Sequence, residues 1–254
     1  MRAEGELLEL LRQIRAFLAY QVEVFGPELL CASAKPAQPS SSEGASKGNR
    51  PADPWEALGE ALPEALRGIR DLETLEALVR PCTQCRLART RRHVVFGTGN
   101  PQARLVLVGE APGADEDATG VPFVGKAGQL LDRILAAIGF TRHEVYICNV
   151  LKCRPPYNRD PEPEEVAACR PYLLRQLDLI RPRLILALGR HAATALLQTT
   201  EPLSQLRGRL HPFYGAEVVV TYHPAALLRN PGWKRLVWED VQLLRRRYDE
   251  LIGS

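Results

Sequence analysis

The hydrophobic positions change their period twice along the chain. Between residues 5 and 21, Leu7, Leu8, Leu11, Ile14, Phe17 and Leu18 recur at helical spacing and predict one amphipathic helix. From Ala32 to Pro54 the period vanishes, and 11 of 23 residues are Pro, Gly or Ser. Such a stretch cannot bury enough apolar surface to order itself, so it reads as a flexible linker. Trp55, Leu58, Leu62, Leu66, Ile69, Leu72, Leu75 and Leu78 then restore a helical period over roughly 55–79, leading up to Pro81.

From Arg104 onward short β-branched runs alternate with helical stretches. RLVLVGE (104–110), EVYICNV (144–150), RLILALG (183–189) and EVVVTYH (217–223) are candidate strands, with helices expected over about 126–138, 162–180, 190–198 and 233–251. Pro161 and the acidic residues after it suit a helix N-terminus. Strands separated by helices pair in parallel, which predicts an α/β protein with a three-layer α/β/α sandwich around a central four-stranded sheet. The expected organisation is a helical extension (1–31), a linker (32–54), a helical lead-in (55–80) and an α/β domain (81–254). In such sheets ligands bind beyond the carboxyl ends of the strands, so chemistry is sought there.

After the first strand, residues 109–128 hold five glycines and two prolines, a tight loop feeding a helix that opens near Lys126 and favours an anion there. The loop lacks both G-x-x-x-x-G-K-[ST] and G-x-G-x-x-G, which argues against a triphosphate or dinucleotide; a glycine-rich connection without a ligand fits it equally well. After the second strand comes Asn149, whose amide can donate and accept in one plane, as the polar edge of a pyrimidine requires. A buried Asn satisfying nearby backbone fits a lone amide at least as well. His223 closes the fourth strand and precedes Pro224, Leu227, Leu228 and Arg229.

Composition sharpens this picture. The 254 residues carry a net charge of +3, but residues 1–80 hold 9 basic against 13 acidic side chains and residues 81–254 hold 24 against 17. The two parts are therefore −4 and +7. Only five of the 33 basic residues are lysines, and arginine suits bidentate phosphate contacts, which points to a polyanionic partner; an arginine-rich genome explains the bias equally well. No apolar run is long enough to span a membrane, and Glu4, Glu6 and Glu9 stand where a signal peptide carries basic residues. A soluble cytoplasmic protein with no membrane partner is expected. In that compartment the six cysteines call for metal rather than disulfides. Cys82, Cys85, Cys153 and Cys169 have the order C-x2-C-x67-C-x15-C, which admits structural zinc or a [4Fe–4S] cluster, spacing alone favouring zinc. Cys148 reads as a buried small hydrophobe, and Cys31 has no evident role.

The segments GEAPGADED, GVPFVGKAG, NVLKCRPP and HPAALLR together resemble the signature segments of family 4, iron–sulfur uracil-DNA glycosylases, in the same order over about residues 80–250. The resemblance implies an enzyme that flips deoxyuridine from DNA and hydrolyses its N-glycosidic bond. It implies that Phe123 stacks on the uracil, Asn149 bonds its polar edge, Glu116 crowds C5 against thymine, and His223 sits near O2. Backbone amides around Glu110 and Ala111 would add donors, and Leu227 or Leu228 would wedge the vacated stack, with Lys126 and Arg229 at the phosphates. Ala111 stands where another family places a water-activating aspartate, so water would be held by Asn158, Glu110 or backbone carbonyls. The same resemblance turns the four cysteines toward a [4Fe–4S] cluster. An alternative is an iron–sulfur protein that traps the abasic product, but its relatives use a histidine in an inserted loop, and LKCRPPYNRDPEP has none. A monomer is expected, nucleoid-associated, with residues 1–31 a candidate tether to a replication or repair protein, although a segment that simply docks on the α/β domain or stays mobile fits them better.

Overall fold

The computed structural model describes residues 53–253. The amphipathic helix expected over 5–21, nearly all of the linker, and Cys31 lie outside the described residues. The sheet contains β1 (Thr98–Gly99), β2 (Leu105–Gly109), β3 (Tyr146–Asn149), β4 (Leu184–Leu188), β5 (Leu210–Phe213) and β6 (Ala216–Thr221), in the order β1-β3-β2-β4-β6-β5. The four expected runs form β2, β3, β4 and β6, and these pair in parallel. The sheet nevertheless has six strands, not four, because β1 and β5 add antiparallel edges to β3 and β6. Neither edge carries an apolar run. β1 is two residues long, and β5 includes Pro212, which an edge tolerates because one of its sides needs no backbone donor.

The helical lead-in is three helices rather than one: α1 (Pro54–Ala61), α2 (Glu64–Arg67) and α3 (Leu72–Val79). Pro63 lacks the N–H that a continuous helix needs, and Gly68 ends α2. The side chains of Asp53 and Asp71 then cap α1 and α3 by accepting from Trp55 and Thr74 amides. The remaining helices are α4 (Ala114–Thr119), α5 (Lys126–Ala137), α6 (Pro163–Ile180), α7 (Arg190–Leu197), α8 (Leu203–Leu206), α9 (Pro224–Arg229) and α10 (Lys234–Ile252).

Alternate strand residues enter two cores. Val106, Val108, Cys148, Ile185, Ala187, Val218 and Val220 pack with Trp55, Leu58, Leu173 and Leu177. Leu105, Leu107, Ile147, Leu184, Leu186 and Val219 pack with Leu131, Ile134, Val237 and Val241. Both faces are covered, which is why these strands read as continuous apolar runs, and each buried Val, Leu or Ile side chain contributes about 1.5–3 kcal/mol. Gly109 lies beside Asn149, and Leu188 beside Thr221, so the four parallel strands end at one level. That shared edge places residues 110, 149, 189 and 223 in one row. Among the described residues no helix is long and apolar enough to cross a membrane.

Candidate active site

A pocket of about 310 Å³ opens at that edge, lined among others by Glu110, Ala111, Glu116, Phe123, Ala127, Asn149, Asn158, His223 and Arg229. Asn149 ends β3 and is fully buried, and its Oδ1 has no hydrogen-bond partner. Gly109 makes room for it: a Cβ there would lie 2.3 Å from Asn149 Oδ1 and 2.5 Å from the Phe123 ring. Phe123 itself has a left-handed φ of 54°, costly for an aromatic residue. Arg142 offsets this cost by donating to the carbonyls of Pro122 and Phe123 at 2.7 and 2.9 Å while pairing with Asp132. At Gly128 any Cβ would come within 1.8 Å of the Phe123 carbonyl oxygen, so only glycine lets α5 pass beneath the loop.

The Phe123 and His223 rings face one another with centroids 5.5 Å apart and planes 31° from parallel. His223 caps α9, its Nδ1 accepting from the Ala225 amide at 3.1 Å. That bond leaves the ring proton on Nε2 in the neutral imidazole. Burial, reinforced by the Arg229 charge and only partly opposed by Glu116, lowers the His223 pKa to about 4. The pocket thus contains a neutral N–H donor beside an unpaired carbonyl acceptor.

Glu116 spends its carboxylate within the loop. Oε2 accepts from the Gly113 amide at 3.0 Å, and Oε1 from the amides of Val124 and Gly125 at 2.9 and 3.0 Å, which stitches α4 to the Phe123 turn. Burial pushes the Glu110 carboxyl above the usual range, with His191 the strongest opposing charge. Asn158 is exposed at the pocket mouth, where its Oδ1 accepts from Arg154 Nε at 2.8 Å. Lys126 is exposed at the start of α5, outside the pocket lining. The two wedge candidates separate: Leu227 is 1% exposed and belongs to the core, whereas Leu228 is 46% exposed.

Cys82, Cys85, Cys153 and Cys169 line a second, small cavity behind the pocket floor, together with Arg91, Lys152 and Tyr172. Three sulfurs already accept hydrogen bonds: Cys153 from Arg91 at 3.4 Å, Cys169 from the Lys152 amide at 3.2 Å, and Cys82 from the Tyr172 hydroxyl at 3.5 Å. Burial pushes the Cys153 thiol up and the Cys169 thiol to about 12, a cost that ligation to a metal reverses. Four cysteine side chains around one small cavity form a donor set that could hold a metal ion or an iron–sulfur cluster. Cys148 is fully buried in the sheet.

Several residues at this edge escape sequence reasoning. Arg142 and Lys152 act through backbone carbonyls, and no local pattern marks that. Arg159 and Asp160 reach the pocket mouth from the loop before α6, and His191 meets Asp160 there from the first turn of α7. His191 had a signal: it follows β4 as His223 follows β6, and the same strand-end rule reaches Gly189-Arg190-His191.

A parallel sheet whose carboxyl edge carries this pocket defines a class. A family model described as Uracil DNA glycosylase superfamily matches residues 96–242, and the chain is a member of that superfamily. It is 48% identical over 194 residues to a type-4 uracil-DNA glycosylase of Archaeoglobus fulgidus, covering 72% of this chain and 96% of that one. It is 45% identical to a type-4 uracil-DNA glycosylase of Thermotoga maritima (67% and 91% covered) and 43% identical to one of Saccharolobus solfataricus (69% and 85%). The chain belongs to the type-4 uracil-DNA glycosylases.

Proposed function

We propose that the chain is a DNA repair hydrolase that removes uracil from DNA by cleaving the N-glycosidic bond, leaving an abasic site. One observation carries this reading: Asn149 Oδ1 is buried without a partner at the floor of a pocket walled by an aromatic ring. An unsatisfied buried acceptor costs about 1–3 kcal/mol, and the N3–H of uracil is the donor it lacks. The Asn149 amide nitrogen then donates to O4, and Phe123 stacks on the ring, offsetting part of the few kcal/mol lost on unstacking the base. Glu116, held by three amides, stands toward C5 and refuses the thymine methyl.

Cleavage leaves a cationic sugar and a uracil anion. His223 donates its Nε2–H toward O2, where the negative charge develops, and the amides of Glu110 and Ala111 add donors there. The Glu110 carboxylate opposes the sugar cation, and with Asn158 it holds water on the sugar side, taking over the work that an aspartate at position 111 would do. Arg229 and Lys126 hold phosphates and Leu228 fills the vacated stack, so affinity falls with salt.

Cys82, Cys85, Cys153 and Cys169 would hold a [4Fe–4S] cluster, which supplies no chemistry to the bond cleavage and cross-links the segment before β1 to the loop after β3. The enzyme acts as a monomer on DNA in the nucleoid.

The test is alkaline cleavage of an oligonucleotide with a single uracil after incubation with the full chain, which should cut it and spare its thymine equivalent. Asn149→Ala should lower the rate by about 100-fold or more. An intact uracil strand would sink the reading. Brown protein with broad visible absorbance and four irons per chain is expected, and colourless zinc protein would remove the cluster from it.

A further inference from the structure

His191 is the second residue of α7, a helix with Arg190 and His191 in its first turn and no acidic residue there. The Arg190 charge at a helix N-terminus opposes the helix dipole, so local stability does not explain the pair. Their partners are carboxylates across the pocket mouth. His191 Nε2 lies 3.3 Å from Asp160 Oδ2 and 3.8 Å from Glu110 Oε2, and Arg190 adds a contact to Asp160 at 3.6 Å. One imidazole thereby joins three separate segments: the end of β2, the start of α7, and the loop before α6.

That loop needs support. Tyr157 and Asn158 are consecutive residues in the left-handed region, with φ of 58° and 55°, and both side chains are exposed. Its outer end is anchored by Arg159, which pairs with Glu165 at 2.6 Å. On the pocket side the contacts to Asp160 come from His191 and Arg190. The charged groups facing His191 are therefore Glu110 from β2, Asp160 from the loop and its neighbour Arg190. We propose that His191 is a positioning residue for uracil excision: it clamps Asp160 to Glu110 and so holds the Asn158 loop and the Glu110 carboxylate at the sugar. The inference rests on the roles proposed above for Glu110 and Asn158.

His191 Nε2 also lies 3.4 Å from Arg190 Nη2, so the imidazole and the guanidinium together face the Asp160 and Glu110 carboxylates. Loss of the imidazole frees both carboxylates, and a misplacement of about 1 Å costs up to 100-fold in rate. The experiment compares His191→Leu, Asp160→Asn, the double variant, His191→Lys and Glu110→Gln by single-turnover excision, DNA binding and melting temperature. His191→Leu should lower the single-turnover rate about 10-fold or more with DNA affinity within about two-fold, and Lys, whose ammonium spans the same gap, should restore most of the rate. The double variant should be no slower than the worse single one. An unchanged rate in His191→Leu beside a slow Glu110→Gln overturns the inference alone. An unchanged rate in both overturns the roles beneath it as well. A slow His191→Leu with no rescue by Lys, and with effects that add to those of Asp160→Asn, also overturns it.

Discussion

The ammonium of Lys152 donates to the backbone carbonyl of Asn149 at 2.7 Å, while the amide of the same lysine donates to Cys169 Sγ at 3.2 Å. Lys152 is fully buried, and its second acceptor is the side chain of Gln176, which in turn donates to the Phe96 carbonyl. One residue therefore ties the floor of the candidate pocket to the cysteine cavity. Lys152→Met fills the same space but leaves the Asn149 and Gln176 oxygens without a donor. The expected loss is about 2 kcal/mol or more of stability, read by denaturant unfolding, together with slower excision. Wild-type stability in this variant would show that the lysine is a passenger.

Arg142 touches no pocket residue except through carbonyls, yet it caps the turn that presents Phe123. Arg142→Ala should release the left-handed turn and slow excision about 10-fold or more while circular dichroism stays unchanged. Gly128→Ala, which drives a methyl group into the same carbonyl, should be harsher. If Arg142→Ala cuts at the wild-type rate, the turn is held by packing alone.

The depressed pKa of His223 has a signed consequence. In the unfolded chain the imidazole takes up a proton near pH 6.5, but the folded ring resists it down to about 4. The contribution to stability is therefore complete above 6.5 and is lost as pH falls from 6.5 toward 4. Over the same window the folded enzyme keeps its neutral donor, so the single-turnover rate should show no His223 inflection near pH 6.5. NMR titration of the ring, with a midpoint well below 6, checks the origin, and a midpoint at 6.5 would refute it.

Leu228 and Leu227 are adjacent but differ in environment. Leu228→Ala should slow excision from double-stranded DNA more than from single-stranded DNA, since only a duplex has a stack to fill, and should leave the melting temperature almost unchanged. Leu227→Ala removes a core side chain and should cost about 2–5 kcal/mol of stability instead. Paired rate ratios on the two substrates decide between them, and equal ratios for Leu228→Ala would exclude the wedge.

The strands β2, β3, β4 and β6 and the helices α5, α6, α7 and α10 were legible because each carries a long apolar run or a clear helical period. β1 and β5 were not, because two-residue and proline-containing edges hold their place through neighbours rather than through any pattern of their own. The break of the 55–79 stretch into three helices was visible at Pro63, although the apolar period runs straight across it. Within the pocket, Phe123, Asn149 and His223 announced themselves by following strands or sitting in signature segments. Arg142, Lys152 and Asp160 did not, since their partners are 10 to 31 residues away in sequence or are backbone atoms.

The sequence by itself determined the layer order and the row of strand ends at which Asn149 and His223 stand, because periodicity and strand-end position are local properties of the chain. Only the tertiary structure decided that Leu228 rather than Leu227 faces outward, that Glu116 spends its carboxylate on three amides, and that His191 reaches across to Glu110 and Asp160. Those outcomes depend on which atoms arrive from distant segments, and on which polar groups are left without a partner once the two cores have closed.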